Sequence, residues 1–259
     1  MPVPEIHDLR MPKRLRMMVA AHSGFGKTVF CGTAPNALFL TTDPEGTASA
    51  AAFGSTAREM EIHNQDELND AYVYLEQGGI AELGLDFVIV DNLTEVQAMF
   101  MGAAMEAAVR QGEKKGSPRN PFVPDKYEYQ VEQNATVDFV KRMNSLPVHV
   151  IFTAHLKGME DGDANEFFSV AIRGKQGEIA QQCLGYMNVI GMGAVVDTPK
   201  GAARRMYFDH VGKYRGKDRF VKLGRAKDNL TVPDMMSLLW PNGATPAKAG
   251  PKRIVRKAS

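Results

Sequence analysis

The chain has 259 residues, 44% hydrophobic and 24% charged, with 31 basic against 30 acidic side chains and a formal net charge of +1. Those proportions suit one large folded domain, and near-neutrality leaves any nucleic-acid argument to local patches. Two cysteines, Cys31 and Cys183, supply neither a disulfide framework nor a zinc site. The first residues lack the apolar core of a secretory signal and no apolar run is long enough to span a membrane, so a cytoplasmic setting without a membrane partner is expected.

Taken in chain order, the elements alternate. Arg14–Ala20 (RLRMMVA) is a short apolar run before a glycine-bearing turn, which predicts a buried strand, and a helix is predicted to start near Gly26. Ala37–Thr41 predicts a second strand. Leu68, Ala71, Tyr72 and Leu75 share one helical face. Phe87–Val90 predicts a third strand, Val131–Leu146 a helix, Val148–Thr153 a fourth strand and Tyr186–Val196 a fifth. Strands that are apolar throughout and separated by helices imply an α/β domain whose central sheet is mainly parallel and covered on both faces. Beyond Asp197, Arg204–His210 and Phe220–Leu223 read as short strands around a glycine-rich turn. Gln111–Lys126 and Lys157–Gly177 read as loops. The expected organisation is an extension over 1–13, one domain over 14–240 and a disordered tail over 241–259, which carries five basic residues and no acidic one.

The chemistry concentrates at Ala21-His22-Ser23-Gly24-Phe25-Gly26-Lys27-Thr28. This is the phosphate-loop pattern, with Ala21 in place of the usual first glycine. Glycines at 24 and 26 let the backbone curl so that N–H groups from Ser23 through Val29 face phosphate oxygens, and the helix that follows adds its N-terminal dipole. Lys27 is placed to reach the terminal phosphates, and the Thr28 hydroxyl to ligate magnesium. ATP and Mg2+ are therefore the expected ligands. Asp91 ends the third strand, where a second magnesium-binding acid belongs. Its other reading is a cap for the next helix, a place for which Asn92 and Thr94 compete. Glu45, in TTDPEG just past the second strand, is placed to orient and deprotonate an attacking water, with Asp43 as its rival. His155 ends the fourth strand, within hydrogen-bonding reach of a γ-phosphate if strand ends gather there.

A phosphate loop, a glutamate after the second strand, an aspartate ending the third and a polar residue ending the fourth together resemble the RecA-like P-loop NTPase core. That resemblance implies a mainly parallel sheet flanked by helices, here with a C-terminal β-hairpin extension. More narrowly, SGFGKT, TTDPEG, FVIVDNLTE, LPVHVIFTAH and GKYRGKDRF, spread over roughly residues 14–224, resemble the phage RecA-like core-only ATPases of the Sak single-strand annealing group. The resemblance implies that Glu45 is the catalytic base, that His155 senses the γ-phosphate, and that Lys217 and Arg219 reach into a neighbouring subunit's ATP site in a ring or filament. It also implies that single-stranded DNA is gripped by Lys114, Lys115 and Arg119 in one loop and by Arg173 and Lys175 in another. A single-strand-binding or replication protein is a further implied partner. TTDPEG departs from the family's usual D-T-E-G, which leaves the choice between Asp43 and Glu45 open. Two other readings of the same motifs are an ATPase that remodels a protein partner, such as a helicase loader or motor, and a nucleotide switch with little turnover.

Glu45→Gln is expected to keep ATP binding and lose turnover by ~10²–10⁴-fold, since an amide cannot accept the proton of water. Steady-state hydrolysis beside Asp43→Asn decides the acid: the same loss in Asp43→Asn, with Glu45→Gln unaffected, would transfer the role.

Overall fold

The computed structural model describes residues 11–43 and 45–241; most of the expected N-terminal extension and nearly all of the expected tail lie outside them. The first half alternates strand and helix: β1 (Arg16–Ala21), α1 (Lys27–Gly32), β2 (Ala37–Thr41), α2 (Ala48–Ala52), β3 (Arg58–Glu61), α3 (Gln65–Tyr74), α4 (Ile80–Glu82), β4 (Phe87–Asp91) and α5 (Leu93–Lys114). Then come α6 (Lys126–Ser145), β5 (His149–Ala154), β6 (Leu156–Glu160), β7 (Glu166–Val170), α7 (Glu178–Gly185), β8 (Val189–Thr198) and β9 (Gly201–Tyr207). The described residues end with β10 (His210–Val211), β11 (Tyr214–Arg215), β12 (Lys217–Asp218), β13 (Ala226–Asp228) and α8 (Val232–Leu239). No helix among the described residues is long and apolar enough to cross a membrane.

The main sheet runs β3–β2–β4–β5–β1–β8–β9–β13. From β3 to β8 every pairing is parallel, as the fully apolar strands required. Alternation along each strand feeds two cores. Met18, Val88, Val90 and Phe152 face one side with Leu68, Phe100 and Val140 of the helices. Met17, Val19, Ile89 and Ile151 face the other side with Phe30 of α1 and Met235 of α8. The expected α/β phosphate-loop architecture is present.

Several elements differ from expectation, each for a physical reason. β3 (REME) is a charged edge strand without an apolar signal. The segment 157–177, read as a loop, holds the antiparallel hairpin β6–β7. The segment 111–126 is helical at its start, because α5 runs on through Lys114. The expected strand over 220–223 is a turn: the Asp218 carboxylate accepts backbone N–H bonds from Phe220 (2.8 Å), Lys222 (2.7 Å) and Leu223 (2.8 Å), while Phe220 and Leu223 are buried without belonging to a strand. The C-terminal extension is instead an antiparallel flank, in which β9 pairs with the far half of β8 and β12 with its near half.

At the sheet end remote from the phosphate loop, His149 is buried between Phe87 (centroids 4.8 Å apart) and Trp240 (5.6 Å). Its Nδ1 accepts the Leu15 N–H at 2.8 Å, so the neutral ring carries its proton on Nε2. Burial, with Arg16 nearby, lowers its pKa to about 4, against ~6.5 in an unfolded chain. The unfolded chain therefore binds the proton first. Stability is complete above ~pH 6.5 and is expected to fall by about 3 kcal/mol as pH drops towards 4. Urea midpoints at pH 7 and 4.5 test this. His149→Asn, which retains an acceptor for Leu15, should be weaker at pH 7 but less sensitive to acid; an equal acid loss in both proteins would acquit His149.

Candidate active site

The register of three strands builds the site. Ala20 of β1 lies opposite Ala154 of β5, and Val90 of β4 opposite Phe152 of β5. One residue further on, each strand delivers its chemistry to the same sheet end: the phosphate loop after Ala21, Asp91 at the tip of β4, and His155 after β5. Because β5 lies between β1 and β4, its Thr153 stands beside Asp91. The Asp91 carboxylate accepts from the Thr28 hydroxyl at 2.6 Å through Oδ2 and from the buried Thr153 hydroxyl at 2.5 Å through Oδ1. Asn92, not Asp91, caps α5, accepting the Glu95 N–H at 2.9 Å. The carboxylate is thus left for the site.

The loop curls as the sequence requires. Gly24 (φ 80°) and Gly26 (φ 93°) occupy the left-handed region. The Phe25 ring is buried, so this residue offers the site only its backbone. A Cβ on Gly193 of β8 would stand 2.4 Å from that ring, so a glycine there is what lets the ring seat against β8. Ser23 is exposed, while Thr28 and Val29 are half-buried at the start of α1. Lys27 is buried and donates to the Ala21 carbonyl (3.0 Å) and the His22 carbonyl (3.4 Å). Burial lowers its pKa, and Asp91 opposes that shift.

Thr28 and Asp91 together offer hard oxygen donors 2.6 Å apart, and no group of three or more His, Cys, Asp or Glu side chains among the described residues could form an all-protein metal cage. That donor set fits Mg2+, which takes one or two protein oxygens and completes its shell with water and phosphate.

The sequence profile of the AAA domain family matches residues 13–220. The chain belongs to the AAA domain family. It is an ATPase. No curated protein matches it. Among solved structures, a KaiC-like protein from the hyperthermophilic archaeon Pyrococcus horikoshii aligns over 74% of this chain and 76% of its own length, at 10% identity and a TM-score of 0.40.

Around the phosphate loop of this AAA-domain ATPase, the other expected residues fall into three groups. His155 is at the site: burial and then Lys27 lower its pKa, Glu95 and Asp91 oppose them, and His22 adds to the lowering. The ring is therefore neutral at pH 7 and able to donate a hydrogen bond. Glu45 and Asp43 share an exposed turn at the end of β2, in which the Asp43 carboxylate accepts the Glu45 N–H (3.3 Å) and the Asp43 carbonyl accepts the Gly46 N–H (2.9 Å). Among the described residues no hydrogen bond or ion pair joins either acid to the loop.

Lys217 and Arg219 lie at the other end of the sheet, since Lys217 pairs with Ile190 near the start of β8. Lys217 donates to the Leu184 carbonyl (3.1 Å) and Arg219 to the Gly185 carbonyl (3.0 Å), which satisfies the last turn of α7. Neither approaches this chain's own nucleotide site. Arg119 and Arg173 are likewise engaged. Arg119 binds buried Glu128 (2.8 Å) and Asp125 (2.6 Å) at the start of α6, and Arg173 binds buried Glu132 (2.8 Å) while its backbone is held by Gln97. Lys114, Lys115 and Lys175 are exposed.

Sequence reading missed Thr153 and Arg204, whose Nε donates to the Phe25 carbonyl at 2.8 Å. Thr153 sits in an apolar strand and could have been found only by pairing β5 with β4. Thr153→Val keeps the volume and removes a hydroxyl that orients Asp91. It is expected to raise the Mg2+ concentration needed for half-maximal ATPase activity by about tenfold, with recovery in Thr153→Ser. An unchanged Mg2+ titration in Thr153→Val would show that Asp91 needs no such support.

Proposed function

We propose that this ATPase binds single-stranded DNA in a nucleotide-linked manner and promotes annealing or strand pairing during recombination, as the resemblance to the Sak group implies. The observation that carries the reading is the connection between α5 and α6. Lys114 and Lys115 end α5 in solvent, and the aromatic residues beyond them stay out of the core: Phe122 is 88% exposed and Tyr127 is 70% exposed. Cations that track phosphates beside ring faces that stack on bases are the two components of sequence-tolerant single-strand binding. Lys175, exposed in the turn before α7, adds a third cation. With Arg119 and Arg173 held by internal carboxylates, the proposed path narrows to these three lysines and two aromatic side chains.

Hydrolysis in this reading follows from the side chains at the sheet end. Lys27 and the loop N–H groups hold the triphosphate, Thr28 and Asp91 hold Mg2+, and a neutral His155 donates to the terminal phosphate. The metal, when bound, neutralises charge on the phosphate oxygens. Glu45 is the proposed base. In a ring or filament, Lys217 or Arg219 would serve a neighbour's site only by leaving the α7 carbonyls.

Single-stranded DNA binding, measured with and without ATP across a salt series, tests the proposal. Each phosphate contact contributes about −0.7 to the slope of log affinity against log salt on single strands. Replacing Lys114, Lys115 and Lys175 with alanine should flatten that slope by about 2. Phe122→Ala with Tyr127→Ala should weaken binding by about 1–3 kcal/mol per lost stack and leave the slope unchanged. Wild-type protein that shows no DNA binding in any nucleotide state would replace this reading with that of an ATPase acting on a protein partner.

A further inference from the structure

We propose that Arg204 is a phosphate-binding residue of the nucleotide site, supplied in cis by β9; the inference rests on the phosphate-loop site and does not depend on DNA binding. Arg204 lies on the flank of the sheet, opposite Val195 of β8, yet its side chain reaches the loop. Nε donates to the Phe25 carbonyl at 2.8 Å. A Cβ built on Gly26 would meet Arg204 Nε at 3.0 Å and Cζ at 3.7 Å. The planar head of Arg204 therefore lies against the glycine that directly precedes Lys27.

Two further observations separate this arginine from an ordinary surface cation. Its backbone is fixed on both sides by Asn229, whose Oδ1 accepts the Arg204 N–H at 3.0 Å and whose N–H donates to the Arg204 carbonyl at 2.8 Å. Asn229 has a φ of 50° to do so, a conformation that asparagine tolerates better than most residues. The adjacent Arg205 is neutralised by a two-pronged pair with Asp228, at 2.6 and 2.7 Å. Arg204 has no carboxylate partner among the described residues, and neither terminal nitrogen makes a hydrogen bond there. One donor is thus used to fix the head against the loop, and the four N–H bonds of the terminal nitrogens remain for an anion. The anion that this loop is built to hold is the polyphosphate of ATP, which the guanidinium fork matches in geometry and charge. The same geometry means that a side chain on Gly26 would have to push the Arg204 head aside, in addition to the strain of its left-handed φ.

The test is displacement of a fluorescent ATP analogue from the full chain by ATP and by tripolyphosphate, which has no base or ribose. Arg204→Ala and Arg204→Gln are both expected to weaken ATP and tripolyphosphate alike, by about tenfold or more, while Arg204→Lys recovers most of the loss. The melting temperature should hold steady, because the side chain is exposed. Wild-type affinity in Arg204→Gln would mean that the residue only braces the loop through a neutral hydrogen bond. A loss for ATP without one for tripolyphosphate would move the contact to the base or ribose. Either result overturns the proposal. Lys27→Ala serves as the control that the assay reads the phosphate loop. Failure of the wild-type chain to bind ATP would overturn the nucleotide site and Arg204's role with it, a result distinct from any difference among the Arg204 variants.

Discussion

The active end of the sheet depends on one carboxylate held by two hydroxyls. Asp91 receives Thr28 from the phosphate loop and Thr153 from β5, so three segments remote in sequence converge on one acid. Each bond is charge-assisted and at most 2.6 Å long. The geometry exists because β5 is inserted between β1 and β4 in parallel register. A slip of one residue in β5 would turn Thr153 to the opposite face of the sheet and withdraw one of the two supports.

The phosphate loop is braced from the other side by the antiparallel flank. Phe25 seats its ring against Gly193 of β8, and Arg204 of β9 bonds to the carbonyl of the same residue. β8 and β9 are therefore more than a C-terminal continuation of the sheet, since they fix the loop's middle from below. A second brace comes from the hairpin that starts just after His155. There Phe168 meets His22 edge-on at 5.6 Å and Tyr214 at 5.2 Å, and the Ala171 N–H donates to the His155 carbonyl at 2.7 Å. The segment read from sequence as a loop is thus packed against the phosphate-loop segment.

Charge follows a similar division of labour. Arg119 and Arg173 lie in segments that look solvated in sequence, yet each holds the carboxylate of a glutamate buried in α6. Removing either arginine would leave a buried charge without its partner, which costs far more than loss of a surface pair. Burial raises the pKa of Glu132 even with Arg173 beside it, whereas Arg119 holds Glu128 below the usual carboxylate range. The lysines at 114, 115 and 175 are exposed and pair with no carboxylate among the described residues.

Local chemistry was enough to read the phosphate loop, the apolar strands and Asp91. Gly24, Gly26, Lys27 and Thr28 lie in one contiguous stretch that leads straight into a helix, and an apolar run ending in an acid needs no partner strand to be recognised. Asn92 was already one of the candidate caps, and the structure chose it over Thr94 and Asp91; the roles of Thr153 as hydroxyl donor and Arg204 as loop clamp were not legible. Each depends on which strand lies beside which, and that is set by long-range packing, not by neighbours in the chain. The turn over 220–223 was misread for the opposite reason: its apolar residues are buried as a strand's would be, but the Asp218 carboxylate satisfies their backbone N–H groups in place of a neighbouring strand. Composition and spacing decided that this chain folds around a phosphate loop. Only the order of strands in the sheet decided which hydroxyl and which arginine came to stand beside it, because burying both faces of a parallel sheet leaves little freedom in register.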